Sequence, residues 1–278
     1  MSPSGNDHAS RRALPIGVFD SGLGGLTVVR EIRRILPGER LLYLGDNARV
    51  PYGTRSPATI ERYAGNCADF LVREGLKLLV VACNTVSAVA LPFLRERVDV
   101  PVLGVIGAGA RAACAATRTG RIGVIGTVGT VDSGAYTREI AAIDPGAVVH
   151  QRPAPLLVPL AEEGWLDGPV PRLAVERYVG PLAASGIDVL LLGCTHYPLL
   201  EGTIREVLSE LGSAAAVVNS AKVMGREVAD TVAAGGLENP DGVGALRCCV
   251  TDLPASFQAV AARFLGDPIG NVERVDIL

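Results

Sequence analysis

The sequence predicts an α/β protein of two pseudo-symmetric α/β domains with mainly parallel sheets and an active site in the cleft between them. Three observations predict it. Apolar runs of five to eight residues recur along the chain, from "LPIGVFD" to "AAVVNS". Segments with helical apolar spacing lie between most of them. Two stretches of the first half also return later, in the same order and at similar spacing.

The strands come first. "LPIGVFD", "RLLYLGD", "LKLLVVAC", "VPVLGVIG", "RIGVIGT", "GAVVHQR", "IDVLLLGC" and "AAVVNS" are almost uninterrupted by polar residues. That is the pattern of parallel strands covered by helices on both faces. Between them, "LTVVREIRRIL", "ATIERYAGNCADFLVREG" and "LLEGTIREVLSEL" place apolar residues at helical intervals, and Gly and Pro mark the junctions. The echo then pairs the halves. "PIGVFDSGLGGLTVVREI" (from Pro15) resembles "RIGVIGTVGTVDSGAYTREI" (from Arg121), and "GLKLLVVACNT" (from Gly75) lies without gaps on "GIDVLLLGCTH" (from Gly186). Gly17 stands 66 residues before Cys83, and Gly123 stands 71 before Cys194.

Composition narrows the function classes. With 278 residues the chain can bury a sizeable core, and a net charge of −3 offers no surface for nucleic acid or acidic lipid. No apolar run reaches the ~18–20 residues that span a bilayer. The polar start "MSPSGNDHASRRALP" lacks the apolar core of a signal peptide, so residues 1–14 are expected to be a disordered tail. The expected location is cytoplasmic, where cysteines stay reduced. Six cysteines occur, at 67, 83, 114, 194, 248 and 249, without CxxC spacing or closely spaced histidines, so no metal site is expected.

Cys83 and Cys194 differ from the rest because each follows a strand, at the edge where open parallel sheets bind ligands. Residues Asn84 or Thr85 after Cys83, and Pro198 after Cys194, suggest helix starts, which would favour thiolate. Candidate partners are Asp20 and Ser21 after the first strand, His196 two residues beyond Cys194, and Glu162 or Glu163 in "LLVPLAEEGWLDG", read as loop-like. Two thiols on opposite faces of a carbon suit proton removal on one face and return on the other, which inverts a stereocentre. At a median turnover the barrier would be roughly 16 kcal/mol. Pyridoxal phosphate would need a Schiff-base lysine. Only Lys77 and Lys222 are present, one at the far end of a strand and the other without phosphate-cradling glycines, so no cofactor is expected. "GVIGAGARAA" mimics a dinucleotide fingerprint but lacks the acid that should end the next strand. "DSGLGGLTV" lacks the ending of a P-loop, and its glycines are expected to let backbone N–H groups approach a carboxylate.

The motifs "IGVFDSGLGGLTVVREI", "YLGDNARVPYGTRS", "VVACNTVSA", "GVIGTVGTVDSGAY", "LVPLAEEG" and "LLLGCTHYPLL" together resemble the bacterial glutamate racemases over almost the whole chain. The resemblance implies cofactor-independent interconversion of L- and D-glutamate, supplying D-glutamate for peptidoglycan. It implies Cys83 as the thiol acting on D-glutamate and Cys194 as the one acting on L-glutamate. Asp20 would assist Cys83; Glu162 and His196 would assist Cys194. Substrate would be lined by Asp20, Ser21, Tyr52, Gly53, Asn84, Thr85, Thr195 and His196, with Thr127 or Thr130 contributing. It further implies a first domain of residues 15–107 plus 217–278, a second of 108–216, and a homodimer of the kind common in the family. Val86 replaces the usual Ala and Asn219 a common Asp. The alternatives are a racemase of aspartate or another acidic amino acid, and a non-catalytic ligand-sensing relative.

Overall fold

The computed structural model describes residues 11–277. Its strands are β1 (Ile16–Asp20), β2 (Arg40–Gly45), β3 (Leu78–Val81), β4 (Val102–Gly104), β5 (Arg121–Gly126), β6 (Val148–Pro153), β7 (Val189–Gly193), β8 (Ala216–Asn219), β9 (Ala245–Val250) and β10 (Val272–Arg274). They form a six-stranded sheet, ordered β10-β9-β2-β1-β3-β4, and a four-stranded sheet, ordered β6-β5-β7-β8. Every pairing is parallel. The expected α/β class is the one the chain adopts.

The strand order carries the internal echo. In the first sheet β1 lies between β2 and β3, with β4 outside; in the second, β5 lies between β6 and β7, with β8 outside. Each half therefore reverses direction beside its first strand, and a crevice opens at the carboxyl ends where the crossovers diverge. Asp20 and Cys83 stand at that point in one half. Thr127 and Cys194 stand there in the other.

Helix packing brings the crevices face to face. The helix Leu26–Ile35 buries Leu26, Val28, Val29 and Ile32, an apolar stripe at helical spacing. Each such side chain contributes roughly 1.5–3 kcal/mol when removed from water. Its partner is the helix Ser220–Ala234, which returns from the second sheet; Gly225 allows the crossing, since a Cβ there would lie 2.9 Å from Glu31. One continuous apolar cluster thus joins residues of β1 to residues of β7.

Some expectations differ from this picture. The boundary after residue 216 would divide β8, which pairs with β7 from Ala216 onward. The boundary after residue 107 falls inside the helix Val105–Ala116, which follows β4 directly. Of the expected tail, residues 1–10 lie outside the described residues. Arg11–Leu14 form a turn, with the Leu14 N–H on the Arg11 carbonyl at 3.2 Å, and Lys77 Nζ donates to the Arg12 carbonyl at 2.8 Å. Strands β9 and β10 have no counterpart in the sequence reading. In β9 only Cys248, Cys249 and Val250 are buried, and Arg247 turns outward to Glu74 and Glu273. The apparent dinucleotide fingerprint is helix interior. Gly109 lies where a Cβ would approach Tyr136 to 3.2 Å, so it serves close packing rather than a phosphate.

Candidate active site

A cavity of about 440 Å³ lies between the two sheets, with Cys83 and Cys194 both on its lining. Ser21, Tyr52, Gly53, Asn84, Thr85, Thr195, His196 and Glu162 line it too, as does Thr127. The structure therefore brings together nearly every residue the sequence reading singled out. Asp20 is the exception in detail: it is buried and stands behind the lining, with Oδ2 accepting the Gly22 N–H at 3.0 Å.

On the first half, β3 ends at Val81, and Cys83 caps the six-residue helix Asn84–Val89. Cys83 Sγ lies 3.4 Å from Ser21 Oγ. Burial pushes the thiol up to about 12, and the Asp20 carboxylate adds to the rise, while the Ser21 hydroxyl and the Val86 N–H oppose it. The expected thiolate is thus not what these surroundings favour: desolvation and a neighbouring anion outweigh one short helix terminus. Burial also raises the Asp20 carboxyl, against the lowering effect of His196. Two polar atoms here are buried without a partner, Asp20 Oδ1 and Asn84 Nδ2. Asn84 Oδ1 already accepts the Tyr136 hydroxyl at 2.7 Å, so its amide hydrogens remain for a ligand.

On the second half, β7 ends at Gly193, and Cys194 follows. What comes next is a 3-10 turn, Tyr197–Leu200, with the α-helix starting only at Glu201. Cys194 does not head an α-helix. A side-chain relay stands there instead: Cys194 Sγ lies 3.8 Å from His196 Nδ1, and His196 Nε2 lies 2.9 Å from Glu162 Oε1. Burial alone would lower the imidazole, but its contacts with Cys194 and Glu162 prevail and raise it to about 10. The "LVPLAEEG" stretch proves to be a helix, Leu157–Glu163. Its periodicity aims Glu162 at His196 and leaves Glu163 exposed, which separates the two glutamates.

The glycines of "SGLGG" have a use the sequence did not disclose. A Cβ on Gly24 would lie 2.1 Å from Thr195 Oγ1 and 2.6 Å from His196 Nδ1, so only glycine lets the halves approach. The carboxylate met by a backbone N–H of this turn is the chain's own Asp20. Hydroxyls complete the junction: Thr85 Oγ1 lies 2.9 Å from Thr127 Oγ1, which donates to Thr130 Oγ1 at 2.9 Å. Sequence reasoning missed Asp46, buried at the end of β2. It accepts from Tyr52, from Arg49 Nε at 2.6 Å and from Thr251 Oγ1 at 3.0 Å, and so anchors the wall carrying Tyr52 and Gly53. An acid closing the apolar run "RLLYLGD", directly before "NARVPYG", was its only signal.

The raised imidazole has a measurable consequence. Folding favours charged His196, so its contribution to stability is complete below the free value of 6.5 and disappears as pH rises through about 10. Urea unfolding is expected to show stability falling across that window, with this part of the slope missing in His196→Asn. Equal slopes in both proteins would contradict the assignment.

No helix among the described residues is long and apolar enough to cross a membrane, and none of their side chains form a group of three or more His, Cys, Asp or Glu suited to a metal ion. The Asp/Glu/Hydantoin racemase family matches residues 16–235. A glutamate racemase from Geobacter metallireducens is 50% identical over 263 residues, covering 94% of this chain and 96% of its own. The crystal structure of glutamate racemase from Francisella tularensis in complex with D-glutamate is 35% identical, covers 96% of this chain and 98% of its own, and superposes with a TM-score of 0.89. That of a glutamate racemase isoform from Bacillus anthracis is 41% identical over 95% of this chain and 98% of its own, with a TM-score of 0.90. Two matching parallel half-sheets, a thiol from each in one cavity, and likeness over nearly the full length lead to one assignment: the chain belongs to the Asp/Glu/Hydantoin racemase family.

Proposed function

We propose that this protein is a glutamate racemase that interconverts L- and D-glutamate without a cofactor, through Cys83 and Cys194 acting as acid and base on opposite faces of the α-carbon. The observation that carries the reading is the presence of both thiols on one small cavity, each with its own partners. Cys194 takes the α-proton of L-glutamate while Cys83, held as a thiol by burial and Asp20, delivers one to the other face. In the reverse direction the roles exchange, with Asp20 assisting Cys83. His196, charged and fixed by Glu162, is the counter-charge beside Cys194.

Ser21, Tyr52, Gly53, Asn84, Thr85, Thr195 and His196 form the substrate-binding wall in this reading. The free Asn84 amide supplies a donor for a carboxylate. The Tyr52 hydroxyl is committed to Asp46, so Tyr52 contributes shape rather than a hydrogen bond. Neither lysine serves a Schiff base: Lys77 is buried against Glu39 before β3 begins, and Lys222 pairs with Glu201. The enzyme would work in the cytoplasm, supplying D-glutamate for peptidoglycan, as two domains closing on one substrate and as a homodimer.

The test is incubation of the purified protein with L-glutamate in D₂O, with no cofactor added. Racemisation with solvent deuterium at the α-carbon is expected. A requirement for pyridoxal phosphate, or turnover of aspartate in preference to glutamate, would overturn the reading.

A further inference from the structure

The family match ends at residue 235, yet the helix Phe257–Leu265, beyond it, reaches the candidate site. From that helix we infer that Arg263 is a positioning residue, holding Glu162 against His196 from outside the matched region. The inference rests on the reading of Glu162 and His196 as partners of Cys194.

Geometry carries it. Glu162 is the least enclosed member of the relay, with 45% of its side chain exposed, against 11% for His196. A carboxylate so exposed has rotamer freedom to lose, and a single hydrogen bond in partial solvent is a weak restraint. The restraint comes from the backbone. The helix Leu157–Glu163 ends at Gly164 in a left-handed turn (φ +78°), and Arg263 Nη1 donates to the Glu162 carbonyl beyond the last helical hydrogen bonds. A cation at a helix C-terminus satisfies an orphan carbonyl and complements the dipole. Gly164 admits the guanidinium, because a Cβ there would lie 2.6 Å from Arg263 Cζ. The neighbouring Phe264 sets its ring edge-on to His196, with centroids 5.0 Å apart and planes at 77°. Consecutive residues of one helix thus brace the two ends of the Glu162–His196 bond. Arg263 touches no substrate in this arrangement. It fixes the direction in which Glu162 points.

The experiment follows the His196 imidazole by nitrogen NMR in the ligand-free enzyme, in wild type, Glu162→Gln, Arg263→Met and the double variant. The charged or titratable groups facing this ring are Cys194, Glu162 and Asp20. Removing the carboxylate lowers the midpoint. Arg263→Met is expected to lower it too, by about one pH unit, because a released Glu162 no longer supports the charged ring. In the Glu162→Gln background it should change nothing further. A simple loss of nearby positive charge would instead raise the midpoint. A rise, no change, or an equal fall in both backgrounds overturns the inference. Arg263→Lys keeps a donor for the carbonyl and should retain the wild-type midpoint; if Arg263→Met does not fold, Arg263→Leu, which also lacks a donor, takes its place. In parallel, kcat/KM for glutamate should fall on the order of ten- to hundredfold in Arg263→Met and recover in Arg263→Lys. If wild type does not racemise glutamate, the functional reading fails, while the NMR comparison still decides the positioning role.

Discussion

Replacing either thiol with a hydroxyl is expected to abolish racemisation, lowering kcat by on the order of 10³-fold in Cys83→Ser and in Cys194→Ser alike. A serine hydroxyl neither gives up nor returns a proton readily near neutral pH, and each half of the reaction needs its own group. The substitution is close to isosteric, so the buried surroundings of both sulfurs should persist. The two variants are nevertheless not equivalent. Cys194→Ser keeps the Cys83 half-site, so any residual exchange of the α-hydrogen with D₂O should be confined to D-glutamate. Cys83→Ser should show the converse. Proton NMR of each enantiomer incubated with each variant reads this directly. Near-native racemisation in either variant, or exchange of both enantiomers by one, would defeat the two-thiol assignment. Because the enantiomers are equal in energy, kcat/KM must fall equally in both directions. The handedness appears only in exchange and in the separate kcat and KM values.

The half-sites were legible because their signals are local. "GLKLLVVACNT" and "GIDVLLLGCTH" show a continuous apolar strand with a Cys just past its end, and β3 and β7 occupy corresponding places in their sheets. A residue just past the carboxyl end of a parallel strand beside a crossover reversal is at a ligand edge whatever the helices do. Glu162 was harder, because "LVPLAEEG" is only two turns of helix, and two adjacent glutamates carry no periodicity to separate them. The helix start expected at Pro198 proved to be a 3-10 turn, because Pro198 opens such a turn as readily as an α-helix.

Contacts between residues far apart in the chain left no trace in the sequence. Arg263 and Glu162 are about a hundred positions apart, and Asp46 meets Thr251 across twice that distance. Gly24 illustrates the limit. In the sequence it reads as part of a turn, and only the packed halves reveal that its missing side chain makes room for Thr195 and His196. For the C-terminal segment the resemblance implied only a return to the first domain, and no strand was read there. That segment adds β9 and β10 to the open edge of the first sheet, where strands need only one buried face and so lose the continuous apolar signature.

Lys77 is the residue whose loss should most damage the fold while sparing the chemistry. It is fully buried, and its three N–H groups are all taken, by Glu39 Oε2 at 2.5 Å and by the Arg12 and Leu237 carbonyls at 2.8 Å each. Glu39 in turn accepts the Asn239 N–H at 2.8 Å. The pair therefore ties the start of β3 to the turn before β1, the entry to β2 and the loop before β9. Lys77→Met removes the cation and leaves a buried carboxylate without its counter-charge, at an expected cost of about 3–5 kcal/mol in urea unfolding. Replacing both partners with apolar residues is often neutral in other proteins, but not here. The Arg12 and Leu237 carbonyls and the Asn239 N–H would all lose their partners, at roughly 1–3 kcal/mol for each group left unsatisfied. Lys77→Met/Glu39→Leu should thus recover only part of the loss. Activity should follow the folded fraction and nothing more, since Lys77 precedes β3 and Cys83 follows it. A stability loss below about 1 kcal/mol would refute the ion-pair account. A drop in kcat in fully folded Lys77→Met would instead require a link along β3 that no contact of Lys77 provides.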